Sequence, residues 1–308
     1  MRVNVVVNAR SGTAMTLPKD DLVRSIEQPF VDRGHDVSVR LVAPEDFGRA
    51  VDIMTRKDVA LLVGGGDGSI RSAARITATR DVPLGILPLG TMNLLARDLE
   101  IPLDLAGAAD ALARSDVKRI DAASVNGSLY LCNALIGLPS IYSTERQKLR
   151  GKSFKAKTLG AWRAARAIFS LRHRLQLELD DGRNLSRMRV MSLAVANNRY
   201  CDLPSFGLRR PNLDGGHLAV YAARHRSGFS AAIAMARALI GTWRTDPYVS
   251  ELLTHELRIH ANTPYIRVST DGEVEKLPTP LVFRNHPKAL SILAPPRSSV
   301  IIPERAHA

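Results

Sequence analysis

The residues best suited to chemistry stand in a glycine-rich segment at 64–69. This segment, Gly64-Gly65-Gly66-Asp67-Gly68-Ser69, directly follows an apolar run at 59–63. Glycine has no side chain, so the backbone N–H groups of such a segment can approach a polyanion closely. Residues 69–79 are predicted to form a helix, whose positive N-terminal end would face the same place. The pattern favours a nucleotide-phosphate cradle; the alternative is a tight strand-to-helix turn that binds nothing.

Two further polar turns follow predicted strands and belong with this cradle. The first is 8–12, where Asn8, Ser11 and Gly12 supply polar and flexible positions. The second is 87–93, which carries Thr91 and Asn93. The carboxyl ends of parallel strands lie at one edge of a sheet, where ligands of such sheets bind. We therefore expect the three turns to line a triphosphate, although Thr91 alone would be an ordinary helix cap.

The first 124 residues alternate strand-like and helix-like segments. Strands are predicted at 3–8, 36–42, 59–63 and 83–87, and helices at 19–33, 45–56, 69–79 and 92–99, where Pro29 brings the continuity of the first helix into question. This alternation predicts an α/β nucleotide-binding domain with a mostly parallel sheet, covering residues 1–124.

From about residue 125 the pattern changes to strands joined by hairpin turns. Alternating apolar residues begin at 175, and further strands are predicted at 188–197, 255–260, 265–270, 273–277 and 281–285. Asp271-Gly272, between two of these strands, is a strong signal for a two-residue hairpin turn. The sequence thus predicts an antiparallel, sandwich-like β domain at 125–294, a cleft between the domains, and a tail at 295–308 that packs back on the first.

Composition restricts the classes of function. The chain has 308 residues, enough for two domains, and its 45% hydrophobic and 24% charged residues are those of a globular protein. The two cysteines, Cys132 and Cys201, have neither zinc-site nor CxxC spacing. No GxxxxGK[ST], GxGxxG or HExxH motif is present. The first apolar run is too short for a signal peptide, and no segment is long enough to cross a bilayer, so we expect a cytoplasmic protein.

A formal net charge of +13 calls for an acidic partner or surface. The segment 146–174 contains ten Lys and Arg residues and no Asp or Glu, and apolar residues recur within it at helical spacing. This is the pattern of a basic amphipathic helix on an anionic membrane surface, but also of a helix packed on its own domain with a solvated basic face. With 5% aromatic residues and no recognisable motif, nucleic-acid binding is not indicated.

Three segments together resemble the diacylglycerol kinase catalytic family, which includes sphingosine kinases and bacterial relatives. They are 64–69, the segment 83–102 (PLGILPLGTMNLLARDLEIP) and the late Asp271-Gly272-Glu273. The resemblance implies an ATP- and Mg²⁺-dependent kinase that phosphorylates a lipid alcohol in a cleft between an α/β domain and a β-rich domain. It also implies a peripheral location on the inner face of the membrane.

The resemblance assigns roles to particular residues. The loop 64–69 and Thr91 would hold ATP, and the turn 8–12 would border the phosphates. Asp271 would accept the proton of the lipid hydroxyl, and Glu273, pointing the same way if its strand is regular, would assist. Asp67, Asp121 and Asp214 are the candidate metal ligands. The chain departs from the family where Leu94 replaces an Asp that commonly follows the Asn of the GT-x-N turn.

Two other functions stay open at this point. One is a kinase acting on NAD, since that family shares a GGDG loop. The other is a catalytically silent member of the fold that binds lipid or nucleotide. The sequence determines neither which lipid is phosphorylated nor the oligomeric state, and a homodimer stays open.

Overall fold

Strands and helices alternate through the first 113 residues, as predicted. The computed structural model describes residues 1–137, 175–182, 184–201, 209–225, 230, 237 and 246–296. The strands of this part are β1 (Arg2–Asn8), β2 (Asp36–Val42), β3 (Val59–Gly65) and β4 (Leu84–Pro88). The helices are α1 (Lys19–Val31), α2 (Phe47–Met54), α3 (Asp67–Arg80), α4 (Leu94–Asp98) and α5 (Leu105–Ala113), with a 3₁₀ turn at Thr13–Met15.

The predicted strands and helices of this half are all present, with ends displaced by one or two residues. Pro29 lies inside α1 without interrupting it, because the helix ends two residues later and few backbone hydrogen bonds are lost. Helix α5 was not predicted. Its start carries a recognisable signal, since Asp104 accepts a hydrogen bond from the Gly107 N–H at 2.7 Å as an N-cap.

The second half is built from strands. They are β5 (Asp116–Val125), β6 (Ser128–Tyr130), β7 (Asn133–Gly137), β8 (Leu175–Asp180), β9 (Leu185–Val190), β10 (Ser192–Asn197), β11 (Leu218–Ala223), β12 (Val249–Thr254), β13 (Glu256–Ala261), β14 (Tyr265–Thr270), β15 (Glu273–Pro278) and β16 (Leu281–Ala294). The predicted strands of this half are among them, except that the single strand expected at 188–197 is divided between β9 and β10, which belong to different sheets. Strands β5, β6, β7, β11 and β12 were not predicted.

Two sheets organise these strands. The larger has ten strands in the order β2-β1-β3-β4-β16-β13-β8-β9, with β5 and β6 attached through β16. Strands β1 to β4 pair in parallel, as the sequence pattern predicted. The smaller sheet has the order β12-β11-β10-β7-β14-β15, and its pairs are antiparallel. The predicted fold class, an α/β part followed by an antiparallel β-rich part, is confirmed.

Strand β16 connects the two halves. Its first residues pair with β13, most of its length pairs with β5, and Ile292 pairs in parallel with Leu84 of β4. Its last apolar residues, among them Leu290 and Leu293, are buried in the hydrophobic core of the α/β half. Phe283, near its start, is buried in the hydrophobic core of the β-rich half. We propose that the division near residue 124 separates two structural units that share this strand; residues 297–308 lie outside the described part of the chain.

No helix in the described part of the chain combines the length and the apolar character that crossing a bilayer requires.

Candidate active site

The three polar turns meet at one edge of the parallel sheet. Their strands β1, β3 and β4 are neighbours, so the carboxyl ends lie side by side. Hydrogen bonds join the turns: the Asn8 Nδ2 donates to Ser69 Oγ at 3.3 Å, and the Leu89 N–H donates to Gly65 O at 3.2 Å. The Thr13 N–H donates to Leu89 O at 3.5 Å, which connects the first turn to the third. The expected convergence is therefore present.

Close backbone packing explains two of the glycines in these turns. A Cβ atom on Gly90 would lie 2.5 Å from the Gly66 Cα, and a Cβ atom on Gly65 would lie 2.6 Å from the Ser69 Cβ. A Cβ atom on Gly66 would lie no closer than 3.6 Å to any neighbour. The loops thus pack backbone against backbone, and the start of α3 remains within reach of a ligand.

Asp67 ties the second turn to the third. Its Oδ1 accepts a hydrogen bond from the Leu94 N–H at 2.7 Å, and its Oδ2 accepts one from the Asn93 N–H at 3.1 Å. Burial raises the pKa of Asp67, and the nearby negative charge of Asp271 raises it further, while these N–H donors lower it. The carboxylate therefore braces the loops and already lies in the electrostatic field of the second half of the chain.

The other polar residues of the turns differ in how exposed they are. Asn93 is buried, at φ 50°, and its side chain bonds the backbone of Pro88 and Gly90. Ser11 is buried, and its hydroxyl donates to Asn8 O at 2.7 Å. Thr91 is exposed at the rim. Asn93 and Ser11 thus shape the loops, whereas Thr91 has its side chain open to a ligand.

Asp271 lies in a two-residue turn between β14 and β15. Asp271 and Gly272 both have positive φ, 50° and 87°, and Thr270 is paired with Glu273. Glycine tolerates this conformation, as does Asp more than most residues. The hairpin predicted from Asp271-Gly272 is therefore present, and it places the Asp271 side chain at the end of the smaller sheet.

The Asp271 carboxylate is held by three consecutive backbone N–H groups. Oδ2 accepts from Leu131 at 2.8 Å, and Oδ1 accepts from Cys132 at 2.8 Å and from Asn133 at 3.2 Å. The residue is 5% exposed. A carboxylate offers about four acceptor positions, two on each oxygen. These three bonds thus leave one acceptor position, on Oδ2.

Burial raises the pKa of Asp271. The three N–H donors and the positive charge of Arg71 act in the opposite direction, because each of them favours the ionised form. A carboxyl with a raised pKa is a stronger base than an ordinary surface Asp, as a proton acceptor requires.

The regular strand through Asp271 and Glu273, on which the two side chains were expected to point the same way, is not present, because residues 271 and 272 form the turn. The Glu273 carboxylate hydrogen-bonds Arg71 and lies so close to Gly68 that a Cβ atom on that glycine would clash with it. Glu273 thus contacts the cradle directly.

Arg71 was missed by the sequence analysis, and it joins the two halves of the site. This buried side chain lies one helical turn after Asp67 on α3. It donates to the hydroxyl and, at 3.3 Å, to the carbonyl oxygen of Thr270, to Glu273, and to Glu275 at 3.3 Å. A basic residue four positions after Asp67 shares a helix face with it, which was the one available signal.

Asp121 and Asp214 lie at a separate position. Asp121 is 1% exposed, and its carboxylate accepts hydrogen bonds from the Lys288 N–H at 2.8 Å, the Gly216 N–H at 2.7 Å and the Asn198 side chain at 2.9 Å. Asp214 is exposed on the turn that wraps Asp121. No hydrogen bond of the described residues links either of them to Asp67. The basic segment 146–174 lies outside the described residues.

Comparison with known proteins agrees with this geometry. Residues 2–125 match the family described as the diacylglycerol kinase catalytic domain. These residues include all three turns of the cradle.

Two curated proteins that are similar to part of this chain carry the name "Probable lipid kinase YegS-like". The protein of Pseudomonas aeruginosa (strain UCBPP-PA14) is 36% identical over 113 residues, which cover 35% of this chain and 37% of that protein. The protein of Yersinia pestis (strain Pestoides F) is 40% identical over 123 residues, which cover 37% of this chain and 41% of that protein. In both cases the match spans less than half of the relative.

The fold extends the similarity beyond the catalytic domain. The crystal structure of a diacylglycerol kinase from Bacillus anthracis str. Sterne superposes with a TM-score of 0.70, over 96% of this chain and 97% of that one, at 19% identity. At this level of identity the match concerns the fold alone.

The cradle suits a nucleoside triphosphate. The 14-residue helix α3 begins at the loop and directs its unpaired N–H groups and positive dipole end there.

The described residues contain no ready-made metal site: no three His, Cys, Asp or Glu side chains among them lie close enough together to hold a metal ion. Mg²⁺ bound with phosphates takes only one or two protein carboxylates, however, and each Asp67 oxygen keeps an acceptor position.

Proposed function

We propose that the protein is an ATP-dependent kinase that phosphorylates a hydroxyl group of a diacylglycerol- or sphingoid-like lipid. The observation that supports this most is the position of Asp271. Its buried carboxylate comes from the β-rich half, yet its charge acts on Asp67 in the phosphate loop, and Arg71 contacts the residue beside it. A nucleotide cradle and a base from the opposite half are the two groups that phosphoryl transfer to an alcohol needs.

The first half of the site binds the nucleotide in this proposal. The backbone N–H groups of 64–68 and the start of α3 hold the phosphates, and Ser69 and Thr91 supply hydroxyl groups. The turn with Asn8, Ser11 and Gly12 closes the rim, and Asn93 keeps the third turn in shape. Packed glycines fix these donors before the ligand arrives, so little reorganisation is needed at the moment of reaction.

Asp271 accepts the proton in the chemical step. The free acceptor position on Oδ2 takes the proton of the lipid hydroxyl, whose oxygen forms a new bond to the γ-phosphorus. The bond between that phosphorus and the bridging oxygen breaks, and ADP leaves. Arg71 balances the charge of Glu273 and keeps Asp271 near the loop. In phosphoryl transfer, such positioning of the reacting groups supplies most of the rate acceleration.

Mg²⁺, when bound, neutralises the charge of the phosphate groups. Asp67 is the carboxylate best placed to hold it. Asp121 and Asp214 stay candidate ligands from the sequence. Asp121 already accepts three hydrogen bonds, which leave one acceptor position on Oδ1 for the ion.

We propose further that the basic segment 146–174 attaches the protein to the inner face of the membrane, since its ten cations would each contribute about 1 kcal/mol near an anionic surface. Sedimentation with phosphatidylglycerol vesicles should show binding that falls as salt rises from roughly 0.1 to 0.5 M. Replacing Lys152, Lys155 and Lys157 by Glu should weaken it. Equal binding to uncharged phosphatidylcholine vesicles would contradict this attachment.

A substrate panel tests the proposed function. Diacylglycerol, a sphingoid base, ceramide and phosphatidylglycerol are presented in mixed micelles with γ-labelled ATP, NAD is offered in a parallel reaction, and labelled products are identified by mass spectrometry. We expect label on one lipid and none on NAD. Transfer to NAD alone would indicate the alternative kinase, and absence of any transfer by a protein that binds ATP would indicate a catalytically silent one.

A further inference from the structure

Arg210 is the centre of a buried charge network behind the Asp271 site. Arg210 is 1% exposed, and the side chain of its partner Asp98 is 5% exposed. The Arg210 Nη2 and Nε donate to Asp98 Oδ2 at 2.6 and 3.0 Å, and the Arg210 backbone N–H donates to Oδ1 at 2.9 Å. The pair joins the end of α4 in the catalytic domain to the loop before β11.

The same guanidinium holds the peptide segment that binds Asp271. Its Nη1 donates to the carbonyl oxygen of Leu131 at 2.7 Å and to that of Cys132 at 3.4 Å. The N–H groups of residues 131–133, which we call the amide shelf, are the three donors to the Asp271 carboxylate. One chain of hydrogen bonds therefore runs from Asp98 through Arg210 and the shelf to Asp271.

We infer that Asp98 and Arg210 are positioning residues for phosphoryl transfer, and that they act by fixing the amide shelf that orients Asp271. The inference rests on the proposed function of Asp271 as proton acceptor.

The charge of Arg210 and the path of the hydrogen bonds from Asp98 to Asp271 both favour a positioning role. A cation that binds a peptide carbonyl polarises the peptide group and strengthens the hydrogen bonds made by its N–H, because hydrogen bonds in chains reinforce one another. Asp98 compensates the buried charge of Arg210 and contributes no hydrogen bond to the shelf. The planar guanidinium reaches Asp98 and the shelf at once, which an ammonium group could not do equally well.

A second anchor limits the size of the effect. The Asn197 Nδ2 also donates to Leu131 O, at 3.0 Å, and the Asn197 N–H donates to Cys132 O at 3.0 Å. The shelf should therefore keep its fold without Arg210 but lose part of its rigidity, so we expect slower catalysis and little change in nucleotide binding.

The test removes the pair without leaving a buried charge. In Asp98→Leu/Arg210→Met, both ionic groups become apolar, a change that often preserves stability. We expect Tm to stay within about 5 °C, the KM for ATP to stay within about twofold, and kcat to fall about 10- to 100-fold. The acid limb of the kcat profile should move to higher pH, because a looser shelf stabilises the ionised carboxylate less. The matched control, Arg33→Met/Asp110→Leu, removes an ion pair between the turn after α1 and helix α5 and should change none of these quantities.

A second variant covers the case in which the double variant does not fold. Arg210→Lys keeps the buried charge but loses the fork, and kcat should again fall at an unchanged KM for ATP. Wild-type kcat and an unmoved acid limb in a folded variant of either kind would overturn the inference.

A readout without catalysis separates the two proposals. The Asp271 carboxyl is followed by ¹³C NMR of aspartate-labelled protein, with Asp271→Asn for assignment. If the Asp271 carboxyl titrates at higher pH in the variants, but the wild type phosphorylates no lipid, the positioning role is supported and the proposed function is removed. An unshifted titration would overturn the positioning alone.

Discussion

Arg71 donates hydrogen bonds to the backbone and side chain of Thr270, the residue that immediately precedes Asp271. Arg71 lies on the helix that begins at the phosphate loop, so one side chain sets the distance between the loop and the turn that carries the proposed base. Arg71 and its hydrogen bonds to Thr270 are buried, whereas the side chains of its ionic partners Glu273 and Glu275 are 43% and 39% exposed. The bonds to Thr270 are therefore shielded from water and salt, which screen the two ion pairs.

Arg71→Gln should therefore slow the reaction more than it weakens nucleotide binding. The variant removes the cation that faces two carboxylates and the bonds to Thr270, so the turn is released from α3. We expect kcat to fall at least about tenfold and the free energy of unfolding to drop by about 1–3 kcal/mol. Initial rates at saturating ATP and chemical denaturation measure the two effects.

Arg75→Gln is the control for this variant. Arg75 lies one turn later on the same helix, is exposed, and donates a hydrogen bond to the Ser128 hydroxyl, away from Thr270. Its replacement should leave kcat unchanged. An equal loss of kcat in both variants would show that charge on α3, and not the contact with Thr270, is what matters.

Gly90→Ala should disrupt the cradle. The new Cβ atom would lie 2.5 Å from the Gly66 Cα, a contact that only backbone movement can relieve. We expect ATP affinity to fall at least about tenfold, because the loop donors are displaced, and stability to drop by about 1–3 kcal/mol. Isothermal titration with a non-hydrolysable ATP analogue measures the affinity.

Gly48→Ala provides the comparison. Gly48 lies in α2, and a Cβ atom there would have no neighbour within 4 Å. Alanine should stabilise this helix by about 0.5–1 kcal/mol and leave ATP affinity as it is. If Gly90→Ala also bound ATP normally, the third turn would have no part in the nucleotide site.

The parts of the site that depend on neighbours in sequence were predictable. The loop at 64–69 follows directly from a strand, three glycines and a helix start, and Asp271-Gly272 is a hairpin signal in itself. The convergence of three turns followed from parallel pairing, which the alternation of strands and helices implied. Local pattern thus located both halves of the site.

The parts that depend on tertiary contacts were not predictable in this way. Arg71 meets Thr270 across 199 positions of the chain, and Arg210 meets Asp98 across 112. No spacing rule reaches so far. The expectation for Glu273 relied on a regular strand, and the turn at 271–272 interrupts that strand.

The pH dependence of activity and of stability should have opposite signs at Asp271. Because its pKa is raised in the folded protein, the proton binds more tightly there than in the unfolded chain. This ionisation costs stability above the folded-state pKa, and the cost disappears as pH falls through that pKa. Activity needs the ionised form and is lost over the same interval, at higher pH than for an ordinary Asp.

Two curves check this sign. The acid limb of kcat is measured on the wild type, and the Tm difference between the wild type and Asp271→Asn is measured at each pH from about 7 down to about 4. As pH falls, we expect the difference to move in favour of the wild type while kcat declines. A difference that moved toward Asp271→Asn would mean that the carboxyl has a lowered pKa.

The most direct test of the central claim is single-turnover phosphoryl transfer by Asp271→Asn, with ATP affinity measured on the same preparation. Asn tolerates the positive φ of this turn and keeps an acceptor oxygen for the shelf, but it cannot take up the proton. The account predicts a rate at least about 100-fold below wild type with ATP affinity within about twofold. A transfer rate equal to that of the wild type would contradict it, because the proton would then have another acceptor.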